Sequence, residues 1–169
     1  MKTFLFIISL WLSGSSATAL AKTPGEVEVG GYLREAQLRG LLGQTRKLSD
    51  YRGKPLIINA WASYCGPCRA EMGSLERLSR RFGEKFNVIG ISVDDDFNAA
   101  VSFVRQTKVT FENYIDSKLF LENMLGANAI PLTVFVDSQG RVVEKIRGSH
   151  EWDSPEALKF IGTALRLKL

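Results

Sequence analysis

Three short, almost unbroken apolar runs organise the chain: Pro55-Leu-Ile-Ile-Asn-Ala-Trp61, Phe86-Asn-Val-Ile-Gly-Ile-Ser-Val93 and Leu132-Thr-Val-Phe-Val136. Runs of this length without polar alternation predict strands that need apolar cover on both faces. From Cys65 onward the period changes. Met72, Leu75, Leu78 and Phe82 fall near one helical stripe, Glu76, Arg77, Arg80 and Arg81 lie elsewhere, and Gly83 fits a C-cap. After the second run, Phe97, Ala100, Val101 and Val104 again repeat at helical spacing. A short segment around Asn113–Asp116 and a helix around Leu119–Leu125 come next. Asp137-Ser-Gln-Gly140 reads as a turn that returns the chain along amphipathic Arg141-Val-Val-Glu-Lys-Ile-Arg147, closing a hairpin. Ser154-Pro155 caps a terminal helix that runs through Leu167.

Upstream of these elements, Leu38 to Leu48 has the pattern of a short β-hairpin with Gly43-Gln44 near its turn. Residues 22–34 are polar and contain glycine, and read as a flexible lead-in. Strand–helix–strand followed by an antiparallel hairpin predicts an α/β fold with a mixed central β-sheet flanked by helices on both faces. The expected division is residues 1–21 as a signal peptide, 22–37 as lead-in, and 38–169 as one domain.

The signal is read from its three parts. Lys2 precedes an apolar stretch, Phe4 to Leu12, and a small-residue run ends in Ala19-Leu-Ala21, a pattern for cleavage before Lys22. The apolar core is about ten residues, whereas a bilayer-spanning helix needs about 20, so no stable membrane anchor is expected. Formal net charge is +4 and the pI about 9.2, but Arg46-Lys47 and Arg80-Arg81 are isolated pairs among acids. No basic run supports nucleic-acid binding. Asp94-Asp-Asp96 at a strand end could be a metal cluster, yet acids at a helix start more often serve as caps and dipole partners, the reading adopted here. Neither a metal nor a cofactor is expected.

Export makes the cysteine count informative. Oxidising compartments permit several structural disulfides, but this chain has only Cys65 and Cys68. A bridge closing so short a loop removes little chain entropy, so it is a weak staple and better explained as chemistry. In Cys65-Gly66-Pro67-Cys68, between a buried strand and a helix, Cys65 falls at the helix N-terminus, where free N–H groups and the dipole favour a thiolate. Thiols so placed have pKa values from about 3.5 to about 7, against about 8.5 for a free cysteine. Cys68, one turn into the helix, is placed to resolve a mixed disulfide, and Pro67 suits a first helical turn.

Trp61-Ala-Ser-Tyr-Cys-Gly-Pro-Cys68 resembles the active-site motif of the thioredoxin superfamily, and more narrowly of its exported TlpA/ResA/DsbE-like branch. Ile130-Pro131 resembles that family's cis-proline loop, and Asp137 to Arg141 its following hairpin. The resemblance covers roughly residues 40–168 and implies a thioredoxin-like fold. It implies that Cys65 and Cys68 are the redox pair. It further implies that Pro131 lies cis against them and that the Ile130 backbone meets an incoming chain as a β-like partner. Without the resemblance, Pro131 is equally a strand boundary and Trp61 a core aromatic. Trp61, Tyr64, Gly66, Pro67 and Ile130 are the expected substrate-binding residues. Asn59 stands where thioredoxins of the cytoplasmic type carry a buried Asp, and Glu71 stands where ResA-like proteins place a functional Glu. Spacing alone leaves Glu71 open between a solvated helix face and a proton carrier. The Asn59 exchange favours the carrier.

Three other activities compete. A Sco-type copper chaperone would use the two thiols with His150, but Cys-Gly-Pro-Cys lacks that family's longer spacing, and a lone loop histidine is usually surface. A DsbA-like oxidase shares the fold, although Gly-Pro between the cysteines and Ile before the proline resemble reducing members. A peroxiredoxin-like reading lacks the Pro-x-x-x-Thr-x-x-Cys pattern around Cys65. The expected function is therefore a periplasmic disulfide reductase acting on disulfide-containing exported proteins, cytochrome c maturation among its settings. The resemblance implies recharging by a membrane electron donor of DsbD or CcdA type.

Overall fold

The computed structural model describes residues 23–169, so the expected signal peptide lies outside the described residues. Seven strands and four helices follow in the order β1 (Gln37–Gly40), β2 (Arg46–Lys47), β3 (Leu56–Trp61), α1 (Gly66–Phe82), β4 (Asn87–Ser92), α2 (Phe97–Thr107), β5 (Glu112–Ile115), α3 (Phe120–Leu125), β6 (Leu132–Val136), β7 (Val142–Arg147) and α4 (Pro155–Leu165). They form one mixed sheet of order β2-β1-β5-β4-β3-β6-β7. β3, β4 and β5 run parallel, with β6 antiparallel to β3, β7 to β6 and β1 to β5.

The unbroken apolar character of β3 follows from its central place, since all six of its residues are buried. Ile57 and Trp61 pack with α1, α2 and α4 on one face of the sheet, while Leu56, Ile58 and Ala60 pack with α3 and the N-terminal segment on the other. Helices thus cover both faces, as expected. The segment around Asn113 is a strand, β5. Four residues beginning with Glu112 and Asn113 give too little apolar alternation to be read as one.

The lead-in is not the flexible tether its composition implies. Val27 and Leu33 are buried, Val27 N donates to Met124 O at 2.9 Å, and Gly30 N donates to Val142 O at 2.7 Å. Glu26 pairs with Lys145 at 2.6 Å, both side chains only about a tenth exposed. The apolar residues here are too widely spaced to show a period, and their partners lie far along the chain.

Helix ends obey local chemistry. Asp96 Oδ1 accepts from Asn98 N at 2.8 Å at the start of α2, and Ser154 Oγ accepts from Ala157 N at 3.2 Å ahead of Pro155. Gly83 does follow α1, but with φ −56° it stays right-handed, so no left-handed cap forms there. α4 stops at Leu165, short of the expected Leu167, because Arg166 turns left-handed at φ 55°.

One glycine is demanded by close approach. Trp61 Nε1 donates across the sheet to Asn113 Oδ1 at 3.0 Å, directly over Gly90 of β4. A Cβ at Gly90 would lie 1.9 Å from that oxygen and 2.7 Å from the indole nitrogen. Gly90→Ala is therefore expected to break this hydrogen bond and cost about 1–3 kcal/mol of stability, measured by denaturant unfolding. Because both changes remove the same bond, Gly90→Ala with Asn113→Ala should cost less than the sum of the single changes.

Candidate active site

β3 ends at Trp61, and after three intervening residues Cys65 stands as the N-cap of α1. Cys65 keeps an extended backbone at φ −85°, ψ 103°, which aims its sulfur back over the first turn, where Sγ accepts from Cys68 N at 3.2 Å. This is one of the N–H groups a helix start leaves without a backbone partner, and it would stabilise a Cys65 thiolate. Gly66 and Pro67 form the exposed first turn, where proline forfeits no helical hydrogen bond. Cys65 and Cys68 are joined, with S–S 2.02 Å and Cα–Cα 5.3 Å. Their accessibility differs: Cys65 is 9% exposed and Cys68 is 0% exposed, so an incoming sulfur can reach only the first.

The loop before Cys65 is held by Asp94, which the sequence pattern assigns to a helix cap. Asp94 is not a helix cap; of the three aspartates only Asp96 caps α2. The buried Asp94 carboxylate accepts from Ser63 N at 2.9 Å, from Ser63 Oγ at 2.6 Å and from Ser92 Oγ at 2.7 Å. It fixes the backbone two residues ahead of Cys65. Trp61 also departs from expectation. With no exposed area it cannot touch a substrate here; it stacks on Phe103 at 4.4 Å and supports the loop from below.

Glu71 lies one turn after Cys68 on the buried side of α1, 1% exposed. Its Oε1 accepts from Asn59 Nδ2 at 2.7 Å, and its Oε2 accepts from Trp152 Nε1 at 3.0 Å and from His150 N at 3.2 Å. Burial pushes the carboxyl above its ordinary range, although the donors of Asn59, Trp152 and His150 pull it back in part. Asn59 Nδ2 also donates to Thr133 Oγ1 at 3.0 Å across the β3–β6 pair. Trp152 and Ser74 are components that sequence reasoning missed. Ser74 Oγ accepts from Trp152 N at 3.0 Å and seats the loop after β7 on α1. A serine on a helix and a tryptophan in a loop carry no local signal of meeting. His150, read as a surface residue, does expose its ring, but its backbone N–H closes the carboxylate cage.

The Ile130-Pro131 peptide is cis. Pro131 O accepts from Gly148 N at 2.9 Å, which ties this loop to the same segment that carries His150 and Trp152. Ile130 is half-buried and Tyr64 is 77% exposed, the latter on the surface beside Cys65 in sequence. Among the described residues, no group of three or more His, Cys, Asp or Glu side chains is arranged to hold a metal ion.

A cysteine pair at a helix start, following the central strand of a mixed sheet covered by helices on both faces, defines a thioredoxin-like thiol–disulfide oxidoreductase. More narrowly, the chain belongs to the AhpC/TSA family, whose model matches residues 29–145 and so takes in Cys65, Cys68, Glu71 and Pro131. It is similar to the thiol-disulfide oxidoreductase ResA of Bacillus cereus, 28% identical over 150 residues, covering 86% of this chain and 87% of that one. Its fold matches a protein described as a DsbE-type thiol:disulfide interchange protein from Chlorobium tepidum, with TM-score 0.75, 24% identity, and coverage of 82% of this chain and 98% of that chain. A DsbF homologue from Corynebacterium diphtheriae gives TM-score 0.66 at 28% identity, covering 77% of this chain and 86% of that chain.

The raised Glu71 pKa has a thermodynamic consequence. A carboxyl whose folded pKa exceeds its unfolded value supports folding fully below the unfolded value, and that support is lost as pH rises through the folded value. Wild type is therefore expected to lose stability relative to Glu71→Gln as pH rises above the ordinary carboxylate range. At acid pH the difference between the two should be constant. Denaturation midpoints of the oxidised proteins across pH check this.

Proposed function

We propose that the protein is a periplasmic disulfide reductase, delivered by cleavage of its first 21 residues and acting on disulfides of exported proteins. The observation that carries this reading is the asymmetry of the pair: a reachable Cys65 sulfur at the helix start, and a buried Cys68 one turn from a buried carboxyl. Reduced Cys65 attacks a substrate disulfide as thiolate, forming a mixed disulfide and releasing one substrate sulfur, which takes a proton. Cys68 gives its proton to Glu71 and attacks Cys65 Sγ. The second substrate sulfur leaves, and the Cys65–Cys68 disulfide remains.

Glu71 also favours the reducing direction. An ionised carboxylate near Cys68 raises the free energy of a thiolate there, and what destabilises the reduced, partly ionised pair makes it a better electron donor. The half-buried Ile130 before β6 and the exposed Tyr64 next to Cys65 in sequence are consistent with docking of an extended substrate segment against the Ile130 backbone. Gly66 and Pro67 form the exposed turn under that segment. Once oxidised, the pair needs an electron source in its compartment, and a membrane donor of DsbD or CcdA type fits. Apocytochrome c is one substrate consistent with the ResA likeness.

The reduction potential of the Cys65/Cys68 couple tests the direction, by equilibration in thiol redox buffers and counting of alkylated cysteines. A value near about −270 mV is expected, whereas one near about −120 mV would make the protein an oxidant. Cys65→Ser should abolish turnover, and Cys68→Ser should accumulate mixed disulfides with substrate. Full reductase activity in Cys65→Ser would sink the mechanism.

A further inference from the structure

Every hydrogen-bond partner of the Glu71 carboxylate is a donor: Asn59 Nδ2 on Oε1, and Trp152 Nε1 and His150 N on Oε2. A carboxylate is well served by such a cage, but a protonated carboxyl is not, because its O–H needs an acceptor. An indole N–H and a backbone N–H can only donate. The Asn59 amide alone can exchange donor for acceptor, by turning about its terminal bond. Asn59 has no exposed area, and its Oδ1 is a buried oxygen with no hydrogen-bond partner among the described residues. An unpaired buried acceptor carries a desolvation cost, which calls for an explanation.

The geometry points to Asn59 as a positioning residue whose side-chain amide turns over when Glu71 takes up a proton, so that Asn59 Oδ1 accepts from the carboxyl O–H. The turn places Oδ1 where Nδ2 now sits, within reach of Glu71 Oε1 and of Thr133 Oγ1, whose hydroxyl can donate as readily as accept. The unpaired position then passes from an oxygen to a nitrogen. One orphaned group exists in either state, so the proton on Glu71 decides which way the amide faces. The titratable group facing Glu71 in the oxidised protein is His150 in the loop after β7, and Cys68, one turn back on α1, joins it only when the disulfide is reduced. β3 and β6 present only the neutral Asn59 and Thr133.

In the resolving step the Cys68 thiol proton moves to Glu71 and the amide turns to hold it. The sulfur electron pair forms the Cys65–Cys68 bond as the Cys65–substrate bond breaks. The departing thiolate takes a proton from water, and Glu71 returns its own to water before the next cycle. This inference rests on the reading of Glu71 as proton carrier.

The two are separated by nuclear magnetic resonance on the intact oxidised domain. The Glu71 side-chain carbon is followed through its titration while NOEs from the Asn59 Nδ2 protons are recorded on both sides of it. Above the transition, NOEs from those protons to the Glu71 side chain are expected; below it they should be lost and the Nδ2 resonance should move. Asn59–Glu71 NOEs that persist unchanged through a clear Glu71 titration would overturn the turning amide and leave the carrier standing. A Glu71 carbon that never titrates would overturn both. Asn59→Leu supplies a second readout. A fixed donor predicts a rise in the Glu71 pKa on its removal, whereas a partner serving both states predicts little change.

Discussion

A carboxylate without exposed surface has to be met by hydrogen-bond donors, and this requirement at Glu71 ties the elements of the site together. Asn59 comes from the central strand β3, and His150 and Trp152 come from the segment after β7. Two of these donors meet a further contact. Thr133 on β6 holds Asn59, Ser74 on α1 holds the Trp152 backbone, and Phe135 packs against the Trp152 ring at 5.6 Å. Charge burial of this kind is costly unless every partner is in place. The cage therefore closes only when α1, β3, β6 and the post-β7 loop have assumed their native relation. Gly148, which binds Pro131 O, belongs to the same loop, so the cis-proline segment is set by the same closure.

On the opposite side of Cys65 the backbone is fixed independently. Asp94 holds Ser63, and Asn113 holds Trp61 through the space left by Gly90. Cys65 is thus suspended between two polar anchorages. One, from β4 and β5, sets the entry to the helix; the other, under α1, sets the surroundings of Cys68. Both anchorages are built largely from buried groups: Asp94, Asn113, Trp61, Asn59 and Glu71. The exposed residues next to Cys65 in sequence are Tyr64, Gly66 and Pro67, and Ile130 is half-buried.

How much of this was legible in the sequence depended on whether a signal was local. β3, β4 and β6 announced themselves because strands buried on both faces must be apolar throughout, and α1 did so by its stripe of Met72, Leu75, Leu78 and Phe82. The cysteine pair was legible because its meaning lies in a spacing of three at a strand–helix junction. What escaped was long-range polar pairing. Asp94 and Ser63 stand 31 residues apart and Trp152 and Glu71 stand 81 apart, so neither partner's local sequence shows why it is there. The lead-in escaped for the same reason: Val27 and Glu26 find Met124 and Lys145 only in the folded chain. Trp61 shows the converse error. Its position beside the cysteines is readable, but its full burial depends on Phe103 and Asn113 from distant elements.

Asn59 shows why the identity of a buried neutral residue can matter as much as that of the acid beside it. An aspartate at this position would put two carboxyl groups 2.7 Å apart in place of the present amide–carboxylate contact, and two such groups cannot both ionise. Their shared proton would then belong to the pair and not to Glu71. An aliphatic residue would leave Glu71 with donors at Oε2 only and no group able to accept from its proton. An amide avoids both outcomes: it carries no charge, it solvates the carboxylate through Nδ2, and it keeps an acceptor in reserve at Oδ1. The neutral neighbour thus leaves Glu71 as the single acid within this cage.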